Sequence, residues 1–123
     1  MIQEFGVKNF YSIKNEQTIS FVPIPDGTQA ENYLHEVKPG VNLLKIGIIY
    51  GSNASGKSNV LMALDFFHGL MLSVPQDKMS KIEGYAPFLL DDTSRNETCQ
   101  MHLVFWLDRE RYIHEIEFDD KRI

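Results

Sequence analysis

The chain has 123 residues, with 12 Lys and Arg against 17 Asp and Glu, a formal net charge of -5. An apolar fraction of 43% and a charged fraction of 24% exclude a disordered, collagen-like or coiled-coil chain, and this length can bury a core without staples. The acidity lies downstream: residues 1 to 58 carry five basic and five acidic side chains, the remainder seven and twelve.

No window supplies a basic stripe, so charge gives no support for direct nucleic-acid contact. Cys99 is the single cysteine and cannot pair within the chain, which fits a reducing, cytoplasmic setting. The start, Met1-Ile2-Gln3-Glu4-Phe5, has no basic region ahead of an apolar one. No run approaches the roughly 18 apolar residues of a membrane span, so neither export nor a membrane is expected.

In chain order, Ile2 to Asn9 and Gln17 to Val22 read as two strands of an antiparallel hairpin around the polar turn Lys14-Asn15-Glu16. Residues 23 to 40, rich in Pro, Gly and polar side chains, read as an irregular connection. Leu43 to Tyr50, LLKIGIIY, is a β-branched apolar run of the kind expected for a strand buried on both faces. Ser58 to Leu72 has apolar residues at 60, 64, 67 and 71, the spacing of a helix that Pro75 would end. Residues 73 to 96 form another loop, with Gly84, Pro87 and the pair Asp91-Asp92. Thr98 to Leu107 and Arg111 to Phe118 alternate as two strands around Asp108-Arg109-Glu110. The whole of 1 to 123 reads as a single domain.

Between the apolar run and the helical pattern lies Gly51-Ser52-Asn53-Ala54-Ser55-Gly56-Lys57-Ser58, the G-x-x-x-x-G-K-[ST] phosphate-binding pattern. This composition would produce it by chance about 0.003 times. Gly51 and Gly56 allow sharp turns and close approach to an anion, so that the N–H groups of residues 53 to 58 can ring a β-phosphate. Lys57, the candidate catalytic residue, adds a mobile positive charge between β- and γ-phosphates. The Ser58 hydroxyl, at the helix start, is the candidate Mg²⁺ ligand, and the helix terminus favours the same anion. Asn53 and Ser55 could bond a terminal phosphate or hold the loop. With Ser52, Ala54 and Asn59 these residues make up the candidate nucleotide site.

Tyr50 to Leu64, YGSNASGKSNVLMAL, resembles the Walker A segment of ABC-type ATPases of the SMC, RecF and overcoming-lysogenization-defect kind, most broadly bacterial ATPases of anti-phage and abortive-infection loci. Val7-Lys8-Asn9-Phe10-Tyr11-Ser12-Ile13 resembles their opening, departing at Tyr11, where the family often has Arg or Lys. Tyr85-Ala86-Pro87-Phe88 and the strands from 98 to 118 resemble the family's antiparallel subdomain. The resemblance implies an α/β P-loop NTPase fold: the N-terminal lobe of an ABC-like head, with a mixed sheet, a P-loop helix and an antiparallel β subdomain. It implies ATP and Mg²⁺ as cofactors. The expected function is the ATP-binding portion of a head whose ATP-driven association controls a DNA-processing or anti-phage effector. Expected partners are a second head or C-terminal half, and a nuclease or toxin. No signature-like Leu-Ser-Gly-Gly run is present, so the chain corresponds to the first half of such a head and is expected to be inactive alone. Unpaired strand edges after residue 98 would then favour self-association. The alternatives are a non-hydrolysing nucleotide-sensing module, or a small P-loop kinase or GTPase.

Leu103 to Asp108 could mimic a Walker B strand. Asp108 is nevertheless followed at once by another alternating strand, which favours a hairpin turn. His35, His68, His102, His114 and Cys99 show no metal-ligand spacing, and Asp91-Asp92 reads as a solvated turn in preference to an interaction site.

Overall fold

The computed structural model of the chain describes residues 1 to 24, 30 to 72, 82 and 84 to 119. The elements are β1 (Ile2–Lys8), β2 (Gln17–Ser20), α1 (Ala30–Tyr33), β3 (Leu34–Lys38), β4 (Val41–Leu44), α2 (Lys57–Leu72), β5 (Cys99–Leu107) and β6 (Glu110–Phe118), with a 3-10 turn at Ser94–Asn96 before β5. One sheet has the order β2-β1-β5-β6 and a separate two-stranded sheet pairs β3 with β4. Every strand pair is antiparallel.

This overturns the expected α/β P-loop NTPase fold, an ABC-like lobe with a mixed sheet and a P-loop helix. Among the described residues the protein is mostly β, with two antiparallel sheets and one long helix. The buried strand expected over Leu43 to Tyr50 is the main departure. Only Val41–Leu44 forms a strand, and it folds back on β3 across Gly40, whose φ of 80° suits glycine. From Lys45 to Tyr50 there is no strand. Ile46, Ile48, Ile49 and Tyr50 are 57%, 80%, 44% and 90% exposed. A β-branched run states a preference for burial, but a strand exists only where a neighbour completes its hydrogen-bond ladder. No described strand pairs with Ile46 to Tyr50. The connection expected to be irregular over 23 to 40 instead holds α1 and β3; within it, residues 25 to 29 lie outside the described residues, as do Pro75 and the rest of 73 to 81.

The two expected hairpins form. Pairs Phe5↔Ile19 and Phe5↔Leu103 place β1 between β2 and β5, and β5 pairs with β6 without a break from Cys99↔Phe118 to Leu107↔Glu110. Asp108 and Arg109, at φ 50° and 68°, make the two-residue turn between them, the mirror-image geometry that suits the right-handed twist of paired strands. Glu110 therefore belongs to β6, and Asp108 is a turn residue.

The face bearing Phe5, Val7, Met101, Leu103 and Phe118 is closed by α2 through Ala63 and Phe67. Helical spacing brings the two onto one side, since residues four apart share a helix face. Phe67 meets Phe5 edge to face at 5.8 Å. Past β1, Phe10 extends the core to Phe66 and Tyr85.

Asn9 fastens the irregular segment before β5 to this core. Its φ of 55° is a left-handed conformation that Asn tolerates better than most residues, and it ends β1. The side chain is buried. Nδ2 donates to the carbonyls of Ser94 and Glu97 at 2.9 and 2.8 Å, and Oδ1 accepts from the Phe88 amide at 2.9 Å. A buried amide with its donors and acceptor engaged replaces the ladder that an irregular segment lacks. No helix among the described residues is long and apolar enough to cross a membrane.

Candidate functional site

Residues 51 to 56 form a tight loop and α2 begins directly at Lys57. Ala54 and Gly56 have φ of 64° and 88°. At Gly56 a side chain would be strained by the backbone and crowded as well, since its Cβ would lie 3.2 Å from the Ser12 hydroxyl. Lys57 curls back over the loop. Its Nζ donates to the carbonyls of Gly51 at 3.0 Å and Ser52 at 2.6 Å, and to Ser55 Oγ at 3.4 Å.

The backbone amides divide into two groups. Those of Ser55, Asn59 and Val60 donate to Ser52, Gly56 and Gly56. Those of Asn53, Ala54, Gly56, Lys57 and Ser58 donate to no acceptor among the described residues. Successive free amides at a helix start form a concave anion-binding surface, reinforced by the helix's partial positive charge. The candidate residues from Gly51 to Ser58 thus share one turn of chain.

Asn59 points elsewhere. Its Nδ2 donates to Ser12 Oγ at 2.5 Å, tying α2 to the turn after β1. Ser55 accepts from Lys57 and so has a loop-holding contact. Asn53 has no side-chain hydrogen bond among the described residues.

A cavity of about 670 Å³ lies between this loop and the β1–β2 turn, within the usual size of small-molecule pockets. Lys14, Gln17 and Ile19 line one side and Tyr50, Gly51 and Lys57 the other. Among the described residues it is lined by two lysines and no carboxylate. The sequence alone suggested no role for Lys14, Gln17 and Ile19, because only the fold brings the hairpin beside the loop. The one local signal was a lysine in a polar turn.

Lys14 is itself held. Its Nζ lies 2.5 Å from Asp91 Oδ2, while Asp91 Oδ1 accepts from the Ser94 amide at 2.7 Å and the Thr93 hydroxyl at 3.1 Å. The bond from Lys14, followed by that from Ser94, holds the Asp91 carboxyl well below the usual carboxylate range. Asp91 in turn raises the Lys14 ammonium above its ordinary value. Asp91 is therefore a structural anchor, more than the solvated turn residue expected.

The remaining candidates do not join the loop. Asp108 sits in the β5–β6 turn. His102 Nε2 is 3.1 Å from Glu4, and the His114 ring meets Phe67. No group of three His, Cys, Asp or Glu side chains among the described residues converges to hold a metal ion. Cys99 is buried, which pushes its thiol up to about 12 and leaves it unreactive at neutral pH.

Comparison of the chain with protein-family models, curated proteins and solved structures gave no match. Functional inference therefore rests on the loop and its surroundings.

Proposed function

We propose that residues 51 to 58 bind the phosphates of ATP, with Mg²⁺ held at Ser58, and that binding, not turnover, is what this chain contributes. The observation that carries this reading is that the amides of Asn53, Ala54, Gly56, Lys57 and Ser58, on the loop that Lys57 overarches, donate to no acceptor among the described residues. Phosphate oxygens are acceptors that satisfy such amides, and Lys57 can exchange its loop carbonyls for a stronger, charge-assisted contact. The choice of ATP rests on the resemblance of Tyr50 to Leu64.

Among the described residues the cavity beside the loop is lined by two lysines with hydroxyl, amide and apolar side chains and by no carboxylate, which favours binding over turnover in this reading. Phosphoryl transfer needs groups that position the attacking water and stabilise developing charge. In this proposal a second nucleotide-binding unit or a C-terminal half brings them, and ATP-driven association controls an effector nuclease or toxin. Mg²⁺ would supply charge neutralisation at the phosphates, for which the Ser58 hydroxyl is suitable oxygen chemistry.

Calorimetric titration of the chain with Mg-ATP tests this. Lys57→Ala loses a charged contact of about 1.5 to 3 kcal/mol, so affinity falls by roughly 10- to 150-fold. Ser58→Ala weakens the Mg²⁺ dependence of binding more than binding of metal-free nucleotide. Equal affinities for the unmodified chain and Lys57→Ala would overturn the proposal.

A further inference from the structure

We propose that the outer edge of β6 is a homodimer interface, where two copies of this chain join their sheets antiparallel about a two-fold axis at His114. The inference is independent of nucleotide binding. It starts from the inequality of the two ends of the sheet. At one end β2 is four residues long, and the next carbonyl, that of Phe21, accepts from the Leu44 amide at 2.8 Å. At the other end β6 runs nine residues in unbroken register with β5. No described backbone pairs with its far side. A long, regular edge with no proline and no bulge is a template for another strand.

Hairpin geometry settles which residues offer that template. The two-residue turn makes Leu107↔Glu110 the closing hydrogen-bonded pair, and such pairs alternate along an antiparallel ladder. Glu110, Tyr112, His114, Ile116 and Phe118 therefore direct their backbone groups to β5. Arg111, Ile113, Glu115 and Glu117 direct theirs outward, and their side chains are exposed.

A two-fold axis sets a strand against itself antiparallel. Centred on His114, it uses the whole of β6 and makes hydrogen-bonded pairs of Arg111 with the second copy's Glu117 and of Ile113 with its Glu115. Arg111, the single cation of the strand, then faces a carboxylate at each end of the interface. On the opposite face Tyr112 meets the second copy's Ile116, an aromatic and β-branched pair of the kind that stabilises sheets. This self-complementarity of charge commits the edge to a second copy over a foreign strand.

Sedimentation velocity of the 123-residue chain, over about 1 to 100 µM, tests the interface. The expected result is a reversible dimer. Arg111→Glu weakens it by about tenfold or more through two lost ion pairs and new repulsion, and adding Glu117→Arg to that variant restores it. Glu115→Pro abolishes the dimer while keeping the far-ultraviolet circular dichroism, because the lost N–H is one that points away from β5. A monomer throughout the range, a larger assembly, or a dimer indifferent to the charge swap overturns the proposal. So does a dimer that survives in folded Glu115→Pro. Should Glu115→Pro unfold, the charge-swap pair decides by itself.

Discussion

The sheet with α2 and the stretch from Lys45 to Ser58 are built from similar apolar and small residues, yet they satisfy their backbones in opposite ways. In the sheet, β1 and β5 have a partner on each side, and Phe5, Phe67 and Phe118 are fully buried. In the stretch leading into α2, Ile46, Ile48 and Tyr50 stand in solvent, and five of the six amides from Asn53 to Ser58 have no acceptor among the described residues. The inner strands of the first region satisfy their backbone groups on one another. The other keeps them available, which is the condition for binding an anion.

That contrast is broken most easily at its buried side. Phe67→Ala removes the ring that closes the sheet face and should lower unfolding free energy by about 3 to 5 kcal/mol. Urea titration measures it, and a loss below about 1 kcal/mol would show that α2 does not seal this core. Asn9→Ala leaves the Phe88 amide and the Glu97 carbonyl without this partner and takes one of two donors from the Ser94 carbonyl, and should cost about 2 to 3 kcal/mol. Asn9→Asp, which keeps the acceptor but loses the donors, should recover only part of that.

Asp91 gives a pH test of how the hairpin turn is anchored. Its folded-state pKa is depressed below the ordinary carboxylate value of 3.8, so its stabilising contribution is present above that value. The contribution is lost as pH falls through 3.8 towards the folded value, because the unfolded chain then takes up the proton first. Thermal melts from pH 7 down to pH 2 should show Asp91→Asn less acid-sensitive than the unmodified chain. Parallel slopes would show that the Lys14 pair does not set the acid response.

The smallest effect belongs to the exposed run. Ile48→Ser, at a residue 80% exposed, should change stability by no more than about 0.5 kcal/mol in either direction. A larger loss in urea titration would mean that this run is packed in solution and that the two regions are less different than their exposures state.

Legibility followed the range of the interactions. The alternation of Thr98 to Leu107 and Arg111 to Phe118 around Asp108-Arg109-Glu110, and the apolar spacing of α2, are local patterns, and these elements form within one residue of the expected bounds, the turn closing on two residues instead of three. The Asn9 anchor was not legible, because its partners at Ser94 and Glu97 are some 85 residues away in sequence. Residues 43 to 50 were misread for the opposite reason. Their composition is that of a buried strand, but composition carries no information about whether a neighbouring strand is there to pair.

By itself, the sequence determined the chemistry of the loop: which residues can turn, which carry charge or hydroxyl, and their spacing from the helix start. It also determined the hairpins and α2, since each is specified by contacts between residues close in the chain. Tertiary structure alone decided that the sheet is wholly antiparallel, that Lys14 and Ile19 face the loop across a cavity, that Asp91 holds Lys14, and that no described strand pairs with the outer side of β6. Those outcomes depend on which distant segments meet, and a meeting between distant segments is set by the packing of the whole core, which no local pattern encodes.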